Sequence, residues 1–239
     1  MHSSMSSVAI LLFARPAVQE AVCKPLTGAR QRDERTWQAL EALTWAKIKA
    51  TNLPAFVSHQ LVTQPQGDSF GRQLRRAAQA VLDQGYETVL CIGNDSPSLR
   101  VSDLKAAAQL AQSDGPDQLG TLPIGADGRG GVYLVGLNRA SLAHADAFET
   151  LPWQTNQLAS ALTSYLRQQG QSCPSLTATH HDWNHRYDIR LGELVGEWRW
   201  LHALTDALQA TRRGVYTGKL AFEPFRSLAP SGLRAPPLA

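Results

Sequence analysis

One short segment, an apolar run that ends in an acidic turn, constrains the fold of this chain more than any other. Val89–Ile92 has the length and composition of a buried strand, and Gly93 ends it. Asn94, Asp95 and Pro97 then form a turn before a helical pattern begins. Ligands of open α/β sheets bind where strands end and loops begin, so Asp95 is a candidate functional residue. A turn with no functional role is an equally good interpretation of this segment by itself.

Strand and helix patterns alternate along the rest of the chain. Val8–Phe13 is continuously apolar, as strands buried on both faces of a parallel sheet are. We expect a loop from Ala14 to Gly28, and a helix from Phe70 whose cap is Asp68 or Ser69. The alternation predicts a three-layer α/β sandwich with a mostly parallel central sheet. Further strands are predicted at Ala55–Val62, Leu119–Ile124, Val132–Leu137 and Ser175–Thr179, and helices at about 37–48, 70–82, 103–112, 156–168 and 192–210.

The length of the chain suits a single domain of this type. A domain over residues 1–211, ending in the helix at about 192–210, accounts for most of the 239 residues. The segment 212–239 is rich in proline and shows little periodicity. We therefore expect it to be a loosely ordered tail.

Composition excludes several classes of function. The formal net charge is +3 and the basic residues are scattered, so the dense basic face of a nucleic-acid binder is absent from the sequence. No apolar stretch has membrane-spanning length. The 3 cysteines are far apart and form no CxxC pair, which favours a reducing compartment, and we expect a cytoplasmic protein. The oligomeric state is left open.

Three features would converge at one edge of a doubly wound sheet. They are the loop after the first strand with Arg15 and Lys24, the turn with Asp95, and the glycine pair Gly130 and Gly131. Basic groups, backbone amides and a divalent metal together could hold a nucleotide diphosphate. The glycine-rich turn joins two strands, so it matches neither the dinucleotide fingerprint nor a Walker A motif. A simple hairpin turn is the alternative.

The histidine-rich segment from His180 to His185 suggests a metal site of a different kind. Adjacent histidines point in different directions, and no HExxH spacing is present, so a histidine-based transition-metal site is disfavoured. Asp182 could instead join Asp95 as an oxygen ligand of Mg²⁺ or Mn²⁺. A capping aspartate in a surface loop is the alternative. Trp153 could stack against a sugar or a base, although most tryptophans are core or rim residues.

Five segments of the chain together carry a family resemblance: Ala9–Arg15, Gln66–Leu74, Gly85–Leu99, Gly130–Leu137 and Phe148–Thr155. In this order and spacing they resemble the bacterial glycosyltransferase-A-like proteins known as radical-SAM/selenodomain-associated transferases. That family is related in fold to the nucleotidyltransferases that make molybdopterin guanine dinucleotide and to the guanylyltransferase of the deazaflavin cofactor pathway. The resemblance implies a nucleotide-diphospho-sugar transferase-like fold and a protein that binds a nucleotide or sugar nucleotide and an acceptor.

The resemblance implies roles for Asp95 and for the loop after the first strand. Asp95 stands at the position of the catalytic acidic residue that would hold Mg²⁺ or Mn²⁺ on the diphosphate, and the loop would wrap the nucleotide. From the residue types and their positions, we further expect Asp182 to be a second metal ligand, and Arg129, Trp153 and Thr155 to contact the substrate. The residues expected to contact the nucleotide are Ala14, Arg15, Lys24, Asn94, Gly130 and Gly131.

The chain departs from the family pattern at several of these positions. The first loop of the family carries a Pro-Gly pair and a Lys-Thr-Arg run, where this chain has Gln19-Glu20 and Cys23-Lys24-Pro25. Arg129 replaces an aspartate before the glycine pair, and Asn184 replaces a later carboxylate. Fewer carboxylates weaken cation binding. The sequence therefore supports two hypotheses: a metal-dependent glycosyl or nucleotidyl transferase, and a nucleotide-binding or interaction protein that has lost catalysis.

Overall fold

A five-stranded mixed sheet forms the centre of the protein. The computed structural model describes residues 8–62, 67–112 and 120–194, together with residues 202, 205 and 206. The strand order is β2-β1-β3-β5-β4, and β5 is antiparallel to both of its neighbours. Since β2, β1 and β3 are parallel, four strands point one way, which confirms the predicted α/β class. The strands are β1 (Val8–Leu12), β2 (Ala55–Val57), β3 (Thr88–Ile92), β4 (Ile124–Ala126) and β5 (Val132–Asn138).

Helices cover both faces of this sheet. Alternate residues of β1 face opposite layers: Ala9 and Leu11 pack in one buried cluster, and Ile10 packs in another. Both faces of the sheet are therefore covered and excluded from solvent at β1, which explains why this strand is continuously apolar. The helices are α1 (Ala17–Cys23), α2 (Arg30–Lys49), α3 (Ser58–Leu61), α4 (Phe70–Leu82), α5 (Val101–Gln112), α6 (Ala145–Glu149) and α7 (Leu158–Gln168), with 3-10 turns at Ala140–Leu142, Arg186–Asp188 and Leu191–Leu194.

Helix α4 matches its sequence signal closely. It begins at Phe70, and the Ser69 hydroxyl accepts a hydrogen bond from the N–H of Arg72, so Ser69 is the cap. Its apolar face, which includes Leu74 and Val81, lies in the same cluster as β1 residues. Helix α5 begins at Val101, two residues earlier than predicted, because Asp103 accepts the N–H of Arg100 at 2.9 Å.

Four predicted elements differ from the observed ones, two of them near the end of β1 and two at the sheet edge. The expected loop from Ala14 to Gly28 contains helix α1. The predicted strand Ala55–Val62 ends at Val57, because Ser58 turns to exchange hydrogen bonds with the backbone of Ala14.

At the sheet edge, β4 begins only at Ile124, although a strand was predicted over Leu119–Ile124. The predicted strand Ser175–Thr179 contributes a single bridge to Ile124, next to Pro174, which has no N–H to extend the ladder. The predicted helix at about 192–210 lies almost entirely, and the tail 212–239 entirely, outside the described residues. Within the described part of the chain, no helix is long and apolar enough to cross a membrane.

Candidate functional site

A cleft of about 590 Å³ opens where β1 and β3 end. Its walls come from the segment after β1, the loop after β3, the β4–β5 turn, the segment before α7 and the segment around Asp182. These segments are distant in sequence, and the end of the sheet brings them together. The proposed site residues that line the cleft are Ala14, Arg15, Lys24, Asn94, Asp95, Arg129, Gly131, Trp153, Thr155 and Asp182.

The loop after β3 is fixed from several sides. The buried amine of Lys47 donates to the carbonyl of Pro97 at 2.6 Å. The N–H of Trp183 donates to the carbonyl of Asp95 at 2.8 Å. Trp183 is fully buried and packs in the cluster that contains Trp37. The position of Asp95 is therefore set by core packing as well as by its own turn.

Asp95 forms an ion pair with Lys24 inside the cleft. The Nζ atom of Lys24 lies 2.5 Å from Oδ2 of Asp95, and both side chains are mostly buried. Burial lowers the pKa of Lys24, but Asp95 and Glu20 raise it more, so its pKa lies above the usual value. Lys24 is therefore an ammonium ion, and it joins the segment after β1 to the carboxylate after β3.

Asp182 lies beside this pair and is hard to ionise. The hydroxyl of Ser96 donates a short hydrogen bond to Oδ1 of Asp182. Burial raises the pKa of Asp182 to about 7, and the charges of Asp95 and Asp127 add to this effect, while Ser96 and Lys24 oppose it. Burial and the neighbouring carboxylates both penalise the ionised form of Asp182, so added positive charge there would be stabilising.

Asp127 is a cleft residue that the sequence reasoning missed. It is 7% exposed, and its Oδ1 accepts the N–H groups of Arg129 at 2.7 Å and of Gly131 at 2.8 Å. The turn can wrap this carboxylate because Gly128 and Gly130 adopt positive φ angles of 75° and 96°. Aspartate followed closely by glycines is typical of turns in which the carboxylate accepts backbone N–H groups. The sequence Asp127-Gly128-Arg129-Gly130-Gly131 could therefore have identified Asp127 as a turn residue.

The two glycines of the predicted pair, Gly130 and Gly131, have different surroundings. A Cβ atom at Gly130 would lie 1.8 Å from the carbonyl oxygen of Asn156, and the carbonyl of Gly130 accepts the N–H of Ala159 at 2.9 Å. Gly130 thus packs against the start of α7 and is not among the residues that line the cleft. Gly131 does line it, but its N–H is bonded to Asp127.

The three residues proposed to contact the substrate also have partners in their own chain. Arg129 is about half exposed and pairs with Asp188 at 3.3 Å. The indole N–H of Trp153 donates to the carbonyl of Phe148 at 2.9 Å, and the ring packs at 5.5 Å from that of Phe70. The hydroxyl of Thr155 donates to the carbonyl of Pro152 at 2.7 Å. One wall of the cleft is therefore aromatic, and its outer rim carries an ion pair.

Two buried polar atoms in cleft residues have no hydrogen-bond partner within the described part of the chain. They are Nδ2 of Asn94 and Oε2 of Glu20. The closest cation to that Glu20 atom is Nη1 of Arg15, at 3.8 Å. Burial raises the pKa of Glu20, although Lys24 and Arg15 oppose the rise. Unsatisfied buried polar atoms are rare in folded proteins, and a bound water, an ion or a catalytic role is among the explanations for each.

The donor set fits a cation that prefers oxygen ligands better than a metal bound by histidines. His180 is occupied by Ser98 at 3.1 Å and by Asp103 at 2.8 Å, and it is not among the cleft residues. The described residues contain no group of three or more His, Cys, Asp or Glu that could hold a metal. Asp95 and Asp182 offer carboxylate oxygens, which Mg²⁺ accepts in pairs when phosphates and water supply its other ligands. The residues present therefore fit Mg²⁺ or Mn²⁺ bound together with a phosphate ligand.

Comparison with known proteins adds a family and a fold. A family model described as "Uncharacterized protein conserved in bacteria (DUF2064)" matches residues 27–155, more than half of the chain. None of the curated proteins matches the sequence. Among solved structures, the chain is similar to a "putative nucleotide-diphospho-sugar transferase" from Desulfovibrio desulfuricans G20. The TM-score is 0.62 and the identity 16%, over 84% of this chain and 99% of that one.

Two further solved structures are similar at lower scores. One is a nucleotidyl transferase from Methanothermobacter thermautotroptrophicus, with a TM-score of 0.41 and 15% identity over 82% of this chain and 98% of that one. The other is a CMP:2-keto-3-deoxy-manno-octonic acid synthetase complexed with CTP, with a TM-score of 0.43 and 13% identity over 80% and 99%. At these identities, the Desulfovibrio structure shows the fold of this chain and nothing further.

Proposed function

The chain belongs to the DUF2064 family, and we propose that it binds the diphosphate of a nucleotide or sugar nucleotide in the cleft, together with Mg²⁺ or Mn²⁺. The reaction it would catalyse is the transfer of a glycosyl or nucleotidyl group to an acceptor. The observation that carries the proposal is the meeting of Lys24 and Asp95 at 2.5 Å, where two strands of an α/β sheet end. The similarity in fold to a sugar-nucleotide transferase supports it by analogy.

Asp95 and Asp182 are the residues that would hold the metal. Such a cation neutralises a diphosphate and makes it a better leaving group, or makes its phosphorus easier to attack. Asp182 favours an added cation, because burial and its acidic neighbours penalise its own negative charge. Ser96 keeps the Asp182 carboxylate in place through its hydrogen bond.

The other cleft residues would bind and orient the ligands. Lys24 and Arg15 carry positive charge on the wall after β1 and would contact phosphate oxygens. The amide of Asn94 has an unpaired N–H group to offer to a ligand oxygen. Trp153 and Phe70 form an apolar wall against which a base or a sugar could pack. Asp127 lines the cleft as a fixed carboxylate and would accept a hydrogen bond from a substrate hydroxyl.

A second candidate is a nucleotide-binding protein without catalysis. It is favoured by Lys24, whose ammonium group already neutralises the carboxylate that the metal would need. Glu20 adds a buried carboxyl group on the same wall, where the resembling family has glycine. This candidate predicts nucleotide binding without turnover, and binding that does not depend on metal.

A thermal-shift screen tests the proposal. Wild-type protein is measured with ADP, GDP, CDP, UDP, UDP-glucose and GDP-mannose, each with and without Mn²⁺. A true ligand at a hundredfold excess over its dissociation constant stabilises the protein by about 2.7 kcal/mol. We expect this stabilisation to require Mn²⁺ and to disappear in Asp95→Asn.

The matched control is Asp83→Asn. Asp83 pairs with Arg139 at 2.9 Å and is not among the cleft residues, so ligand binding should be unchanged. Stabilisation that persists without Mn²⁺ favours the non-catalytic candidate. No stabilisation by any of these compounds, or an unchanged response in Asp95→Asn, contradicts the proposed function.

A further inference from the structure

We propose that Lys24 is a built-in counter-cation of Asp95, which a divalent metal must displace and which then turns to the phosphates of the nucleotide. The inference rests on the proposed function, because it concerns the same cleft. It assigns Lys24 two successive partners: Asp95 when the cleft is free of ligand, and the diphosphate when metal is bound. The protein would then bind metal weakly by itself and well only together with a nucleotide.

The ion pair occupies the oxygen that a metal needs. Nζ of Lys24 lies 2.5 Å from Oδ2 of Asp95, a distance at which no metal ion fits between the two atoms. The side chains are 22% and 17% exposed, so solvent and salt screen their attraction only in part. A divalent cation that binds Asp95 must therefore compete with a strong resident charge.

The amine of Lys24 can move while its backbone stays in place. The backbone N–H of Lys24 donates to the carbonyl of Glu20 at 2.7 Å, and the backbone carbonyl of Lys24 accepts the indole N–H of Trp37 at 3.1 Å. The flexible four-carbon stem lies between this anchored backbone and Nζ. The Trp37 ring lies 5.9 Å from Nζ, at the outer limit of a cation–π contact, so it holds the amine only weakly.

The remaining charges around the pair favour an exchange of partners. The carboxyl groups of Glu20 and Asp182 also act on the Lys24 amine, so this corner of the cleft contains more acidic than basic groups. Arg15 lies against Glu20, and Arg129 is held at the rim by Asp188. Removal of the Lys24 charge would leave Asp95 and Asp182 without their closest cation, and a metal ion would then bind them more tightly.

The test measures Mn²⁺ affinity without nucleotide, by electron paramagnetic resonance of free Mn²⁺. We expect Lys24→Met to bind Mn²⁺ about tenfold more tightly than wild type, since a charged hydrogen bond no longer competes. Lys24→Arg should bind it no better than wild type, because a guanidinium group also pairs with a carboxylate. For the nucleoside diphosphate that stabilises the protein most in the screen, Lys24→Met should show a lower affinity than wild type.

Two controls separate local competition from a general change of charge. Arg139→Met removes an exposed cation that pairs with Asp83 outside the cleft, and Lys105→Met removes an exposed cation on α5. Both should leave Mn²⁺ affinity within about twofold of wild type, since their charges are partly screened by solvent. Equal or weaker Mn²⁺ binding by Lys24→Met, or an equal gain in Arg139→Met, overturns the inference.

Chemical labelling of wild-type protein provides a readout that does not depend on how the variants fold. The rate at which acetyl N-hydroxysuccinimide ester modifies Lys24 is followed by mass spectrometry. We expect slow labelling in the free protein, faster labelling at an Mn²⁺ concentration that saturates the protein without nucleotide, and slow labelling again with Mn²⁺ and the nucleoside diphosphate. Labelling that Mn²⁺ leaves unchanged overturns the inference, whereas the proposed function fails only if nucleotide and Mn²⁺ together do not stabilise the protein.

Discussion

The N–H of Trp183 donates to the carbonyl of Asp95 at 2.8 Å, and this bond joins the loop after β3 to a segment far along the chain. The next residue back, Asp182, is thereby placed where the hydroxyl of Ser96 reaches its carboxylate. The ring of Trp183 is fully buried and packs in the same cluster as Trp37. One anchored tryptophan therefore positions the second acidic residue of the cleft.

Trp183→Ala should destabilise the whole domain. Replacing a fully buried tryptophan by alanine costs about 3–5 kcal/mol, and urea unfolding followed by circular dichroism measures it. Tyr187→Ala is the matched control, because Tyr187 lies in the same segment and is 87% exposed. A loss below about 1 kcal/mol in Trp183→Ala would contradict the packing described for this segment.

Gly130→Ala should cost more than a glycine substitution that meets open space. Both Gly130 and Gly28 have positive φ angles, of 96° and 74°, so alanine is strained at either position. Only at Gly130, of these two, would the new Cβ meet a backbone atom, the carbonyl oxygen of Asn156. We expect Gly130→Ala to lower the free energy of unfolding by about 1–3 kcal/mol more than Gly28→Ala does. An equal loss of unfolding free energy in the two variants would contradict the close approach of Gly130 to the carbonyl of Asn156.

Asp127→Ala should destabilise the β4–β5 turn. The substitution leaves the N–H groups of Arg129 and Gly131 without their charged acceptor. We expect a loss of about 2–3 kcal/mol, measured by urea unfolding. Asp127→Asn keeps an acceptor oxygen and should lose less than the alanine variant. Similar losses in the two variants would mean that the turn does not depend on this acceptor.

Asp182 should titrate near neutral pH. Burial and the charges of Asp95 and Asp127 raise its pKa to about 7, above its ordinary value of 3.8. Since the folded pKa exceeds the unfolded one, the folded state binds the proton more tightly. This contribution to stability is present below pH 4 and is lost as the pH rises to about 7.

The chemical shift of the Asp182 carboxyl carbon measures this titration directly by NMR. We expect a midpoint near 7 in the free protein, and a lower midpoint in Asp127→Asn, because a neighbouring negative charge has been removed. The Asp182→Asn variant identifies the signal. A midpoint close to 4 would show that Asp182 is well solvated and that the acidic crowding described here is absent.

The sequence predicted the parts of the fold that depend on periodicity. The continuous apolar run of β1, the face of α4 and the turn that ends β3 are local patterns, and each corresponds to an observed element. Helix α1 was missed because its 7 residues are too few to show a helical period. The edge strands were misplaced because pairing at a sheet edge depends on neighbours that the local sequence does not show.

The same limit applies to the site. Asp95 could be named because it directly follows a buried strand. The role of Asp127 depends on two left-handed glycines, and the burial of Glu20 depends on how α1 packs, so neither follows from residue type alone. Lys24 and Asp95 are 71 residues apart in the sequence, so their ion pair could not be predicted from it. The sequence predicted only that the two loops that carry them would converge.

The proposed metal site is tested most directly by a crystal of the protein grown with Mn²⁺ and the nucleoside diphosphate that stabilises it most, with anomalous data collected at the manganese edge. We predict an anomalous peak within about 2.2 Å of a carboxylate oxygen of Asp95, with Asp182 beside it and phosphate oxygens on the other side. Nζ of Lys24 should then lie against the phosphates. A manganese peak elsewhere, or a nucleotide bound outside the cleft with the Lys24–Asp95 pair intact, would contradict it.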